Sequence, residues 1–116
     1  VDANVMTVLD PLEVAAEPNR RRLLQLLAGG EKTVTELALE FTVSRSAVSQ
    51  HLLLLEQAGL VVARKEGRNR FYRLDAAGMN ELRRLFDQFW TSELDQLVAD
   101  AGRHAALPLH NPKEKS

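Results

Sequence analysis

The stretch Thr33 to Gly59, TVTELALEFTVSRSAVSQHLLLLEQAG, carries two helix signatures separated by only a few residues. Thr33-Val34-Thr35-Glu36 has the form of a capping box, in which a hydroxyl and a carboxylate three residues apart satisfy each other's backbone N–H groups. It predicts a short third helix through Phe41, with Val34, Leu37, Ala38 and Phe41 facing inward. Thr42-Val43 remain as a tight connection. Ser44 then caps a fourth helix that runs to Ala58 and stops at Gly59, where glycine supplies the left-handed residue a helix end favours. Two short helices joined this closely predict a helix-turn-helix.

The flanks complete the frame. Asp10-Pro11-Leu12-Glu13 starts a first helix, with Asp as cap and Pro at the first helical position. That helix stops by Glu17, because Pro18 disfavours helical geometry in the residue before it. Pro18 opens a second helix with a core stripe of Leu23, Leu26 and Leu27, ended by Gly29-Gly30. After Gly59 the period changes. LVVARK and RFYRL, on either side of EGRN, read as a β-hairpin. Asp75 caps a last long helix to about Gly102, with Met79, Leu82, Leu85, Phe86, Phe89, Trp90, Leu94, Leu97 and Val98 recurring at threes and fours. The fold class expected is mainly α with a β-hairpin (α+β). Residues 1–106 form one domain and residues 107–116, with Pro108 and Pro112, a frayed tail.

Composition narrows the chemistry. There is no cysteine, so disulfides, thiolate metal sites and cysteine nucleophiles are excluded. No apolar run is long enough to span a bilayer, and no signal-peptide pattern opens the chain. A phosphate-cradling glycine loop, an activated nucleophile and a carboxylate pair in a cleft are all missing, which argues against an enzyme. The net charge of −1 is uninformative, but its distribution is not. RKEGRNRFYR, residues 64–73, holds five basic residues against one acid, and residues 75–100 hold six acids against two bases.

The fourth helix has two faces. With Val48 at the centre of the buried side and roughly 100° per residue, Leu52 and Leu55 fall beside it. Ser46, Gln50, Leu53 and Gln57 lie opposite, with Ser49 next to them and Arg45 in the first turn. A helix that only fills a core prefers Ala, Leu and Glu in its first turns. A helix meant for the major groove needs this face instead. Its N-terminus directs N–H groups at phosphate, the short hydroxyls of Ser44, Ser46 and Ser49 allow close approach, and Gln50 and Arg45 suit adenine and guanine edges. His51 lies nearer the core edge, able to reach a phosphate or to bond a backbone carbonyl. An ordinary solvated helix start is the competing reading.

The hairpin favours DNA. Its tip carries Arg68, Asn69 and Arg70, flanked by Arg64 and Lys65. Basic residues on exposed hairpins often only blunt an edge strand. A basic hairpin directly after such a helix is nevertheless placed to reach the sugar-phosphate backbone or a minor groove. Tyr72 and Leu74 are expected to turn inward; Phe71 is ambiguous.

EPNRRRLLQLL, TVTELALEFTVSRSAVSQHLLLLEQAGLV and ARKEGRNRFYRLD together resemble the ArsR-type winged helix-turn-helix repressors over roughly residues 12–75. The resemblance implies a homodimeric, cytoplasmic transcription regulator, usually a repressor. Its recognition helix would be residues 44–58, its wing the 61–74 hairpin, and its first and last helices the dimer interface. Leu12, Phe86, Phe89, Trp90, Leu94 and Leu97 are the expected interface residues, since the last helix has more aromatic surface than a small monomer needs. Such a dimer would meet a near-palindromic site on double-stranded DNA.

Two departures stand out. Metal-sensing members of that family use cysteines in the third helix or Asp, His and Glu clusters on the last. Here the third helix reads TVTELA, and Asp100, His104, His110 and Glu114 are the nearest donors, with Pro108 breaking helical spacing between the histidines. No metal site, cofactor or membrane partner is therefore expected. Leu53 stands where the family often has lysine, so a phosphate contact is lost or a thymine methyl is touched instead. The alternatives are a winged-helix protein-interaction module without DNA binding, or a metal-responsive repressor using C-terminal histidines.

Overall fold

The computed structural model describes residues 9–105, and of residues 103–105 the backbone alone. The chain falls into two compact units that divide between Arg83 and Arg84, and each is taken by itself.

In the first unit, Asp10 caps α1 (Pro11–Ala16), its carboxylate accepting from the Leu12 N–H at 3.0 Å. Glu17 ends α1 and caps α2 (Pro18–Leu27), accepting from the Arg20 N–H at 2.8 Å. Leu23 and Leu27 enter the core as expected. Leu26 is only half-buried, and Leu24 is buried in its place. The reason is geometric: α1, α4 and β3 all pack on α2, so the covered arc is wider than one stripe.

The two-residue strand β1 (Lys32–Thr33) precedes α3 (Val34–Ala38). The predicted capping box is present, with Glu36 N–H donating to Thr33 Oγ1 at 3.1 Å and Thr33 N–H to Glu36 Oε1 at 2.8 Å. The helix ends at Ala38 rather than Phe41. Its last turn tightens to three-residue hydrogen bonds, from Glu40 N–H to the Leu37 carbonyl and from Phe41 N–H to that of Ala38. Phe41 still packs half-buried on the core.

Ser44 caps α4 (Arg45–Gln57) by accepting from the Ala47 N–H at 3.0 Å. At the other end, Gly59 takes φ +81°, Leu60 N–H reaches the Leu55 carbonyl and Gly59 N–H that of Glu56, each at 2.9 Å. This is a Schellman stop, and its apolar partners Leu55 and Leu60 are fully buried.

The wing consists of β2 (Val61–Glu66) and β3 (Asn69–Leu74), antiparallel and in register from Val61 opposite Leu74 to Glu66 opposite Asn69. Gly67, at φ +63°, supplies the positive φ that a two-residue hairpin loop requires. The sheet has three strands in the order β1-β3-β2, not the two of a simple hairpin. Lys32-Thr33 pairs with Tyr72-Phe71, a segment too short to show any period in the sequence.

Asp75 closes the unit by capping α5 (Ala76–Phe89), accepting from the Gly78 N–H at 2.9 Å while its own N–H donates to the Leu60 carbonyl at 2.9 Å. Leu23, Leu37, Val48, Leu52, Leu55, Leu60 and Val61 form the fully buried centre.

The second unit begins within α5 and does not continue as one helix. A π-helical turn at Trp90–Leu94 separates α5 from α6 (Asp95–Ala105), and the Asp95 N–H reaches back five residues to the Trp90 carbonyl. In an uninterrupted α-helix Glu93, seven residues beyond Phe86, would return to within about 20° of it and set a carboxylate into the apolar stripe. The wider turn carries Glu93 off that line and brings Leu94 onto it; Glu93 is exposed and Leu94 half-buried. Among the described residues, no helix is long and apolar enough to cross a membrane.

Candidate nucleic-acid interface

On α4 the two faces separate as helical spacing requires. Val48, Leu52 and Leu55 have no exposed surface, whereas Ser44, Arg45, Ser46, Ser49, Gln50 and Gln57 are exposed and Leu53 is 42% exposed. Packing of α1, α2, α3 and β2 against the apolar side holds the polar side outward. Ser44 spends its hydroxyl lone pair on the Ala47 N–H, which leaves its proton free to donate. The first-turn N–H groups of Arg45 and Ser46 open outward at the positive end of the helix.

His51 is not aimed into this face. Its Nδ1 stands 3.2 Å from Arg20 Nη1 and 3.9 Å from Glu17 Oε1. A guanidinium can only donate, so Nδ1 is the acceptor and the ring proton sits on Nε2. Arg20 also donates through Nε to the Val14 carbonyl at 2.7 Å. One arginine thus ties α1, α2 and α4 together. The carbonyl in this network belongs to Arg20's bond, not to one from His51.

Strand register divides the wing into two faces, because alternate residues share a side. Val61, Ala63 and Lys65 lie with Leu74, Tyr72 and Arg70 on the side that packs on the core. Val62, Arg64 and Glu66 lie with Arg73, Phe71 and Asn69 on the other. Tyr72 is buried and Leu74 half-buried, both inward as expected. Burial pushes the Tyr72 phenol above its ordinary value; Arg70 beside it pulls the other way and Glu56 on α4 adds to the rise.

Phe71 is resolved by Arg64, whose guanidinium lies 4.5 Å over its ring from the directly opposite strand position. The same guanidinium makes a two-pronged contact with Glu31, Nε to Oε2 and Nη2 to Oε1, each 2.9 Å, and a third contact with Glu66 at 2.6 Å. Those hydrogen bonds hold the Glu31 carboxyl below its usual range and push Arg64 still higher, the Glu31 bond being the largest cause of each shift.

The cations therefore sort by partner. Arg20, Arg21, Arg22 and Arg64 are engaged inside the fold, with Arg21 on the Ala16 carbonyl and Arg22 on Glu40. Among the described residues, Arg45, Lys65, Arg68 and Arg70 make no ion pair with a carboxylate. Lys65 and Arg70 stand directly opposite one another. Like charges in that relation repel. Neither the Glu31 contact with Arg64 nor the approach of Glu17 to His51 carries a sequence signal, since each joins residues more than thirty positions apart.

Exposed apolar side chains gather in the second unit: Phe86, Phe89, Trp90, Leu97 and Val98 are each at least 40% exposed. Phe86 and Trp90 stack at 6.2 Å between ring centroids, tilted by 31°. Leu12 and Leu94 are half-buried. Among the described residues no three His, Asp or Glu side chains stand together as a metal site. The His104 side chain, His110, Glu114 and the expected tail at 107–116 lie outside those residues.

Known proteins are similar to this chain in sequence and fold. The profile of the family described as "Bacterial regulatory protein, arsR family" matches residues 17–62. The HTH-type transcriptional regulator Rv2034 of Mycobacterium tuberculosis is 45% identical over 93 residues, covering 78% of this chain and 87% of that protein. The transcriptional repressor SdpR of Bacillus subtilis is 32% identical over 66 residues, covering 57% and 73%. A crystal structure described as a possible transcriptional regulator for arsenical resistance is 66% identical, with a TM-score of 0.73, over 81% of this chain and 98% of that one.

Proposed function

Since this chain belongs to the arsR family of bacterial regulatory proteins, we propose that it is a homodimeric, metal-independent repressor acting on a near-palindromic operator. It is a DNA-binding transcriptional regulator with a winged-helix fold; the relatives it matches are regulators, not enzymes. In this reading α4 lies in the major groove. Arg45 and Gln50 read base edges, while Ser44, Ser46 and Ser49 bring the helix close. Lys65, Arg68, Asn69 and Arg70 hold the backbone beside it. His51, with Nδ1 already occupied by Arg20, contributes through Nε2 or by fixing the helix in place.

The observation that carries the reading is the division of one helix. Val48, Leu52 and Leu55 are wholly buried, and Arg45, Ser46, Ser49 and Gln50 are wholly on the solvent side. A helix serving only the core has no reason to collect short hydroxyls and planar donors on its outer N-terminal half. Two-fold pairing through Leu12, Phe86, Phe89, Trp90, Leu94 and Leu97 would give those apolar side chains a partner and present two such helices to successive major grooves. Repression is taken from the name of the SdpR relative, and metal independence is inferred from the absence of thiols together with Pro108, which breaks helical spacing between His104 and His110.

Fluorescence anisotropy with duplex DNA from upstream of the protein's own gene tests this, with an unrelated duplex and a salt series alongside. Salt-sensitive preference for the upstream duplex supports the reading. Equal, salt-sensitive binding to both places the operator elsewhere, and a folded dimer that binds neither at low salt refutes it.

A further inference from the structure

We infer that Arg64 is a positioning residue of the wing and not one of its phosphate contacts, acting through Glu31 to set where Lys65, Arg68 and Arg70 are presented. The inference rests on the DNA-binding reading above and assigns one basic residue of the wing a different task from its neighbours. Three observations carry it.

The guanidinium is engaged at all three of its nitrogens. Nε and Nη2 face the two oxygens of Glu31 at 2.9 Å each, and Nη1 faces Glu66 at 2.6 Å. A fork-to-fork contact of this kind fixes orientation as well as distance. A lone exposed ion pair contributes little, but a planar cation held at three nitrogens and stacked on a ring is a network and not a lone pair. One of its flat faces is covered too, lying 4.5 Å from the Phe71 centroid.

The partners span the parts that must be held together. Glu31 immediately precedes β1, Arg64 is on β2, and Phe71 is on β3 opposite both Arg64 and Thr33. A single side chain on β2 therefore covers the ring of a β3 residue and holds the residue that leads into β1. The hairpin beyond it has no third strand; β1 pairs only with Tyr72 and Phe71, so the segment from Lys65 to Arg70 is held by its own ladder alone. Arg64 sits at the last position where the sheet is three strands wide.

Finally, the side is wrong for sharing an anion with Lys65 and Arg70. Those two occupy the opposite face of the hairpin by strand alternation.

The test uses a change that separates charge from position. Glu31→Gln makes the protein one unit more positive and loosens Arg64, which keeps only Glu66 and the Phe71 ring. If Arg64 were a phosphate ligand, that variant would bind duplex DNA more tightly, and Arg64→Gln would flatten the salt dependence by about 0.9 in the slope of log K against log salt. The positioning role predicts that both variants lose affinity several-fold, that the double variant loses no more than either alone, and that the slope is unchanged in all three. Thermal unfolding checks that each variant is folded. Backbone 15N relaxation at Gly67, Arg68 and Asn69, measured without DNA, is the independent readout. Order at the loop should fall in Glu31→Gln and in Arg64→Gln alike, and unchanged order in both variants overturns the inference whatever the binding data say. Failure of the parent protein to bind any duplex, with the loop order responding as stated, would count against the DNA-binding reading and leave the positioning role standing.

Discussion

Gly78 in the first turn of α5 lies against the carbonyl of Gly59, the residue that stops α4. A Cβ on Gly78 would stand 1.8 Å from the Gly59 oxygen and 2.8 Å from its carbon. Backbone cannot swing aside as a side chain can. Gly78→Ala should therefore destabilise the first unit by about 3 kcal/mol, at the upper end of overpacking costs, by forcing α5 off the end of α4. Gly102→Ala, where an added Cβ meets nothing, is the control. Chemical denaturation of both variants checks the difference.

Leu52 and Leu53 are neighbours in sequence with opposite surroundings, fully buried and 42% exposed. Leu52→Ala should cost roughly 2–5 kcal/mol of stability. Leu53→Ala should stay within about 0.5 kcal/mol, as surface changes usually do. If Leu53 touches a thymine methyl, the second variant will lose discrimination between thymine- and deoxyuridine-substituted operator while remaining fully folded.

Among the described residues, Arg45 and Arg70 make no ion pair with a carboxylate, whereas Arg22 is paired with Glu40. Arg45→Ala and Arg70→Ala should each weaken DNA binding. A loss of about 0.9 in the salt slope marks a phosphate contact; loss of preference among duplexes marks a base contact. Arg22→Ala should leave the slope where it was. Anisotropy titrations at four or five salt concentrations separate these outcomes.

Tyr72 is the only tyrosine in the chain, so absorbance near 295 nm follows it alone. Its phenol is raised above 10.0, chiefly by burial. The fold therefore prefers the neutral phenol, while the unfolded chain ionises at its ordinary value. The stabilisation is intact below pH about 10 and declines as pH rises toward the folded value. Spectrophotometric titration should give a midpoint above that of free tyrosine, and Tyr72→Phe should remove this part of the alkaline loss of stability.

Trp90 is likewise the only tryptophan, and it is 54% exposed in the single chain. If the second unit pairs with its counterpart in another copy, emission should shift to the blue as concentration rises through the dimerisation range. Leu97→Glu should abolish the shift and yield a monomer by sedimentation. A constant, red-shifted emission in a protein that still sediments as a dimer would place the interface elsewhere.

What the sequence disclosed was what depends on neighbours along the chain. The facing of α4 follows from Val48, Leu52 and Leu55 recurring every three or four residues, and the capping box needs only Thr33 and Glu36. What it hid depends on neighbours across the fold. Leu24 is buried because three elements pack on α2, which no single stripe foretells. Arg64 looks like any other cation of the wing until Glu31, 33 residues away, closes on it. His51 acquires its arginine in the same manner. Lys32 and Thr33 are a strand only because Tyr72 and Phe71 offer them an edge.

The π-helical turn at Trp90–Leu94 has a consequence for chain length. Phe86 and Leu94 are eight residues apart yet share a side, as residues seven apart do in a plain α-helix. The helix thus contains one residue more than its facing requires, absorbed in a single wide turn. Deleting Ser92 should let the hydrogen bonds close to ordinary α spacing and keep Phe86 and Leu94 aligned. Deleting Gln88, upstream of that turn, would misalign them unless the turn itself unwound to compensate. In this protein the last helix can lose a residue at one place and keep its apolar side intact.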